Sequence, residues 1–177
     1  MWYMTIFLSL VSIIQSFAIS LGVGSSTLAI ASFFVAISDG KIDDTERRMM
    51  GVVYVVLRIA MVLILTTTLI LLSYKYAAVG FGSISAFHFA QIFAVVILFV
   101  NAMLMTAHLI PSNFGPAIQA GNWYTLGTLS ALLPLGLVGF SFVQFALAYV
   151  TWLVLAVCIV NGIMALLRAK RHGFIKE

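Results

Sequence analysis

Long apolar runs, separated by short polar or glycine-rich stretches, make up most of the chain. A helix crosses the hydrocarbon core of a bilayer with about 20 apolar residues, whereas the strands of a membrane barrel alternate apolar with polar residues. The chain has such runs and lacks such alternation, so the pattern predicts an all-α polytopic transmembrane helix bundle in a single domain. The five predicted spans are residues 3–38, 49–74, 85–109, 123–139 and 143–167, followed by a basic tail at 168–177.

The first run is too long for one upright crossing at about 1.5 Å per residue. It is either one long helix, tilted or kinked near Gly24, or two short pieces broken between Gly22 and Ser26. Small and polar residues that recur every three or four positions favour a single helix, because they form one face on which a second backbone approaches closely. This predicted packing seam consists of Gln15, Ala18, Gly22, Ser25, Ala29, Ser32 and Ala36.

Local signals predict where later helices begin and end. Asp43, followed three residues later by Glu46, is typical of an N-cap with a capping box and predicts that the second helix starts there. The stretch 110–122 contains two prolines and two glycines and is predicted to be a loop. Pro134 is predicted to kink the fourth helix.

Composition and charge agree with a membrane protein and favour one orientation. The chain is 63% hydrophobic and 8% charged, whereas soluble domains are about a quarter charged. The net charge is +4, but eight of the nine lysines and arginines lie at loop ends and in the tail, where they set topology and contact the lipid bilayer rather than nucleic acid. With the N-terminus outside and the C-terminus inside, the inner side receives Lys41, Arg47, Arg48 and the tail, and the outer side receives Lys75. We therefore expect a multi-pass membrane protein. Because the chain begins without the basic region of a signal peptide, its first helix is expected to be retained.

One charged residue lies inside a predicted span. Arg58 is nine residues into the apolar run that begins at Met49, roughly 13 Å from the inner boundary. A charge in a span costs at least about 2.5–3.5 kcal/mol unless a partner satisfies it. The acids of the chain all lie outside the predicted spans, so Arg58 has no carboxylate partner within one. They are Asp39, Asp43, Asp44, Glu46 and Glu177.

Four polar residues on the other helices are predicted at the depth of Arg58, roughly 9–13 Å from the inner boundary. Two interpretations of this polar layer stay open. It is a hydrogen-bonded clasp that holds the bundle together, since a guanidinium donates five hydrogen bonds and accepts none. Alternatively, Arg58 faces an inward-open cavity and binds an anion, such as a lipid phosphate, a carboxylate or a cofactor propionate. The four residues are Asn101, Asn161, Ser32 and Ser130.

Other chemistry has less support in the sequence. A haem would need His88 or His108 paired with a methionine such as Met61 or Met103, because the two histidines lie twenty residues apart on one helix and His172 is in the tail. No nucleophile–base pair, phosphate loop or metal motif is visible, so we expect no enzyme activity, no metal and no bound cofactor.

Motifs in two places carry a resemblance to a known group. GVGSST, then F..VAISDGKIDDTE and Arg58, with IQAGNWYTLG later, resemble an uncharacterised family of small prokaryotic polytopic integral membrane proteins. The resemblance implies a bacterial or archaeal inner membrane and no particular activity.

Three hypotheses remain for the function. In the first, the protein binds an anion or lipid headgroup around Arg58. In the second, it is a structural or accessory subunit whose seam packs in a homo-oligomer or against a partner membrane subunit; in the third, it is a small haem-binding membrane cytochrome.

Overall fold

The computed structural model describes residues 2–39, 43–80, 84–111 and 114–171, and all regular secondary structure in these ranges is helical. Of the five helices, the first, second, third and fifth are long and apolar enough to cross a membrane. The predicted all-α fold is thus confirmed for the described residues. The helices are α1 (Trp2–Asp39), α2 (Asp44–Val79), α3 (Ala86–Thr106), α4 (Gly115–Leu132) and α5 (Phe142–Arg171).

The first helix is continuous, which confirms one long helix over two short pieces. Its 38 residues make it about 57 Å long, roughly twice the thickness of a bilayer core, so it tilts or projects beyond the hydrocarbon. The capping box at the start of α2 is also confirmed. Asp43 Oδ1 accepts a hydrogen bond from the Glu46 backbone N–H at 2.6 Å, and Glu46 Oε2 accepts one from the Asp43 N–H at 3.1 Å.

The fourth helix lies between three others and runs antiparallel to α1 and α5. Ala117, near its start, packs against Phe33 at the end of α1 and Val160 near the end of α5. A Cβ added at Gly127, near the end of α4, would lie 3.9 Å from Ile19 in the first half of α1. Because α4 also packs against α3, it is surrounded by protein on most sides.

The fourth helix differs from its prediction at both ends. It begins at Gly115 rather than Trp123, with Pro116 in its first turn, so it includes much of the stretch predicted as a loop. It ends at Leu132, so Pro134 follows the helix instead of kinking it. Burial gives the physical reason. Ten of its 18 residues are buried, so polar side chains are paired inside the protein and the helix does not need an apolar surface.

The remaining helix ends lie within five residues of the predicted span boundaries. The last helix extends into the predicted basic tail as far as Arg171, and residues 172–177 lie outside the described part of the chain.

The seam on α1 faces the interior of the bundle. Gln15 Nε2 donates a hydrogen bond to Thr68 Oγ1 of α2 at 3.1 Å, and Gly22 lies directly against the ring of Trp123 of α4. At Gln15 and Gly22, α2 and α4 of the same chain therefore pack against the predicted seam. Ala18, Gly22, Ser25 and Ala36 are buried, and Gln15, Ala29 and Ser32 are half-buried.

The third helix ends with a histidine in the left-handed backbone region. The φ angle of His108 is 56°, the only positive φ among the described non-glycine residues. The N–H groups of His108 and Leu109 donate to Met105 O and Leu104 O, which closes the helix. This arrangement is a Schellman end, where glycine usually takes the left-handed position.

His108→Gly is expected to raise the free energy of unfolding by about 1 kcal/mol, because glycine adopts a positive φ without the steric cost of a Cβ. Unfolding in detergent, followed by circular dichroism, measures the change. The matched control is Ala107→Gly at φ −78°, where glycine should lower stability by enlarging the freedom of the unfolded chain. A His108→Gly protein no more stable than wild type would contradict the prediction.

Candidate functional site

A cavity of about 460 Å³ opens where α1 ends, α2 begins and α3 turns into α4. We call it the Gln119 cavity. Its wall is mostly apolar, and its polar members are Ser26, Tyr54, His108 and Gln119. A concave, mainly apolar site of this size with a few polar groups is typical of sites that bind small amphipathic molecules.

A pair of amides lies behind one wall of the Gln119 cavity. Asn101 of α3 is 3% exposed, and its Nδ2 donates to Gln119 Oε1 at 2.7 Å and to Gly115 O at 3.1 Å. A backbone carbonyl only accepts, so the Asn101 atom beside Gly115 O is nitrogen, and the Gln119 atom facing that nitrogen is oxygen. The pair joins α3 to the first turns of α4 and sets the direction of the Gln119 amide.

Both amides keep hydrogen-bonding capacity. Gln119 Nε2 donates to Met61 Sδ at 3.5 Å, and a thioether is a weak acceptor. Asn101 Oδ1 is buried and has no hydrogen-bond partner among the described residues. Buried polar atoms in proteins are almost always paired, so Asn101 Oδ1 is an exception here, and Gln119 Nε2 has only a weak acceptor.

Arg58 lies on the surface of α2, next in sequence to Leu57, which lines the Gln119 cavity. Its side chain is exposed, and no described residue forms a hydrogen bond or ion pair with it. Arg58 is one turn from both Tyr54 and Met61, so the three are neighbours on the helix surface. Helical Cα–Cβ bonds tilt towards the N-terminus of their helix, which for Arg58 is the side of Tyr54, a cavity residue. The residues beside it on the outer surface, Val55 and Val62, are exposed and apolar.

The other members of the predicted polar layer do not bind Arg58. Asn101 is buried with Gln119, as described above. Asn161 is half-buried on α5, and its Nδ2 donates to Val157 O of its own helix at 2.9 Å. The predicted clasp around Arg58 is therefore not formed among the described residues. Ser32 is half-buried near the end of α1, and Ser130 is half-buried near the end of α4.

Ser130 lies at a different depth from the one predicted. The prediction placed it about seven residues into the fourth helix, at the level of Asn101. Because α4 begins at Gly115, Ser130 is roughly 22 Å along the helix from its start. It therefore belongs to the opposite half of the bundle from Asn101, whose amide contacts Gly115 directly.

The histidines lie at opposite ends of α3. His88 Nε2 is 2.9 Å from Lys75 Nζ, and its Nδ1 is 2.7 Å from Ser85 Oγ, so both ring nitrogens are engaged. His108 borders the Gln119 cavity. Among the described residues, no three His, Cys, Asp or Glu side chains form a group that would hold a metal ion. Of the other residues considered for haem, Met61 is buried, Met103 is exposed, and His172 lies outside the described residues.

A larger groove of about 790 Å³ runs between α4 and α5, and five of its eleven lining residues are aromatic. The polar ends of two of these rings are turned into the protein. Tyr149 Oη donates to Asn122 Oδ1, and Trp152 Nε1 donates to Gly121 O at 3.0 Å. The groove thus presents mostly apolar surface, as expected of helices that face lipid chains.

None of the five residues predicted to bind a ligand lines the Gln119 cavity itself, and its polar residues Gln119 and Tyr54 are absent from the prediction. Gln119 lies in the stretch predicted as a loop, so its direction could not be assigned. Gly115, Gln119 and Asn122 follow one another at intervals of four and three, and this spacing is the signal that places them on one helix face.

Comparison of the chain with family models, curated proteins and solved structures finds no match. Arguments about this site therefore depend on the residues themselves.

Proposed function

We propose that the chain is a multi-pass protein of the inner (cell) membrane, with five spans, the N-terminus outside and the C-terminus inside. In this proposal α4 is a span, because it runs antiparallel to α1 and α5 and its polar residues Gln119, Asn122 and Thr125 are buried. Arg47 and Arg48 start α2, and Arg168 lies near the end of α5, which is the same end of the bundle. Lys75 lies near the other end. The end with more basic residues is then cytoplasmic by the positive-inside rule.

Within this topology, the protein binds an anionic amphiphile, with its phosphate or carboxylate at Arg58 and its neighbouring apolar part in the Gln119 cavity. One observation carries the proposal, namely that Arg58 is exposed on an apolar helix and has no hydrogen-bond or ion-pair partner among the described residues. An unsatisfied charge in a span costs at least about 2.5–3.5 kcal/mol. Since no acid of the chain lies within a predicted span, the compensating negative charge comes from outside the chain.

The position of Arg58 relative to the cavity supports an amphiphile rather than a free anion. Tyr54 and Leu57 both line the Gln119 cavity, and Arg58 follows them directly on α2. The planar guanidinium binds two oxygens of a phosphate or carboxylate at once. The mostly apolar wall beside it covers hydrocarbon, so charge and apolar surface adjoin as they do in a lipid.

Binding of dioleoyl phosphatidylglycerol, measured by native mass spectrometry of the detergent-solubilised protein, tests this function. Arg58→Leu is expected to weaken binding by about tenfold or more, because hydrogen bonds to charged groups contribute about 1.5–3 kcal/mol. Arg58→Lys keeps the positive charge but loses the planar guanidinium that binds two oxygens at once, so an intermediate affinity is expected. The Arg58→Leu protein should fold, because its side chain has no partner among the described residues.

Arg47→Leu is the matched control, since it removes an exposed arginine from the first turn of the same helix. It should bind the lipid nearly as wild type does. Equal binding by wild type and Arg58→Leu would refute the proposal. An equal loss in Arg47→Leu would also refute it, because general attraction between lipid and interfacial charge would then explain the binding.

A further inference from the structure

We propose that the amphiphile presents an uncharged carbonyl oxygen to Gln119 Nε2, as the acyl ester of a glycerophospholipid does. This inference rests on the function proposed above and names the class of ligand more closely. It follows from the Gln119 amide, which is 8% exposed, lines the cavity and donates to a sulfur atom.

The hydrogen-bond partners of Gln119 determine which kind of ligand group it can bind. Its Oε1 is held by Asn101 Nδ2 at 2.7 Å, so the amide directs its N–H groups away from that bond. The acceptor there is Met61 Sδ at 3.5 Å. A carbonyl oxygen is a stronger acceptor than a thioether, and hydrogen bonds gain strength where water is excluded. A ligand carbonyl therefore replaces Met61 as the acceptor or takes the second N–H hydrogen.

One lipid can contact both Gln119 and Arg58. Met61, whose sulfur touches the Gln119 amide, is three residues after Arg58, and such residues have Cβ atoms about 5–6 Å apart on a helix. In a glycerophospholipid only the glycerol backbone separates the phosphate from the ester carbonyls. A phosphate bound at Arg58 therefore brings an ester to the part of α2 that Gln119 contacts.

The inference can be tested with two lipids that differ only in having ester or ether linkages to their chains. Dioleoyl phosphatidylglycerol has two ester carbonyls, and its di-O-oleyl ether analogue has none. The wild-type protein is expected to bind the ester roughly three- to tenfold more tightly, the effect of one net hydrogen bond. Gln119→Met has a similar volume and no donor, so it should bind the two lipids equally. Arg58→Leu should weaken the binding of both lipids alike.

The outcomes separate this inference from the proposed function. Equal binding of ester and ether by the wild-type protein would overturn the inference, even if Arg58→Leu weakened both lipids and so upheld the function. An ester preference that persisted in Gln119→Met would overturn the assignment to Gln119. Binding unchanged by Arg58→Leu would remove the function itself. Because the wild-type comparison needs no substitution, it can overturn the inference even if Gln119→Met does not fold.

Discussion

Gly22→Ala is expected to lower the free energy of unfolding by about 3 kcal/mol, at the upper end of the usual cost of overpacking. A Cβ at Gly22 would overlap three ring carbons of Trp123, namely Cδ2, Cε3 and Cζ3. The ring cannot move aside, because Trp123 is fully buried within the core formed by α1, α2, α3 and α4. Its Nε1 has no hydrogen-bond partner among the described residues, so packing alone positions the ring.

Gly24→Ala is the matched control, two residues along the same helix. Gly24 is exposed, and a Cβ there would have no atom of another helix within 4 Å. Alanine forms helices better than glycine by about 0.5–1 kcal/mol, so Gly24→Ala should be neutral or stabilising. Thermal unfolding in detergent, followed by near-ultraviolet circular dichroism, measures both variants. Equal stability of the two would show that α1 and α4 do not approach as closely as described.

Asn101→Leu has the second large expected effect, a loss of about 2 kcal/mol in the free energy of unfolding. Leucine has the same branching at Cγ but donates no hydrogen bond. Gln119 Oε1 and Gly115 O, which both accept from Asn101 Nδ2, would lose that donor in a buried position. The same unfolding measurement detects the loss. Released from Asn101, the Gln119 amide also turns more freely, so the ester preference of the lipid site should fall.

Thr106→Val serves as the control for Asn101→Leu. Thr106 also lies on α3, but it is exposed and its Oγ1 donates to Ala102 O of the same helix. Exposed substitutions of this kind usually change stability by less than about 0.5 kcal/mol. If Asn101→Leu were as stable as Thr106→Val, the amide pair would not join α3 to α4.

Four helices could be predicted from the sequence because much of their surface is exposed and apolar. In α1, α2, α3 and α5 a hydrophobic run therefore extends over most of the helix, and its ends come close to the ends of the helix. The capping box of Asp43 and Glu46 could also be predicted, because it depends on residues only three positions apart. Local patterns suffice where a helix faces outwards or where the contacts are near in sequence.

The start of α4 could not be predicted in the same way. Polar and small residues in a membrane protein indicate a loop when they face water and a buried helix when they face protein. Hydropathy alone does not separate these cases. Gln119 Oε1 accepts a hydrogen bond from Asn101 of another helix, and that contact spans a loop whose course the sequence does not reveal. The depth of Ser130 was misplaced for the same reason.

The absence of an acidic partner for Arg58 within the spans could be predicted by counting the acids of the chain. The direction of the Arg58 side chain could not be predicted, because it depends on the rotation of α2 about its axis relative to the neighbouring helices. Leu57 and Met61 are buried, whereas Arg58 between them is exposed. This direction places the charge on the outer surface of α2, one residue from Leu57 of the Gln119 cavity, instead of inside a clasp.

The most direct test of the central claim is native mass spectrometry of the protein released gently from its own membrane. Wild type, Arg58→Leu and Arg47→Leu are compared. A bound lipid whose fragments contain a phosphate or carboxylate should remain on wild type and on Arg47→Leu, and should be absent from Arg58→Leu. A bare wild-type chain, or the same lipid retained by Arg58→Leu, would contradict the claim that Arg58 binds an anionic amphiphile.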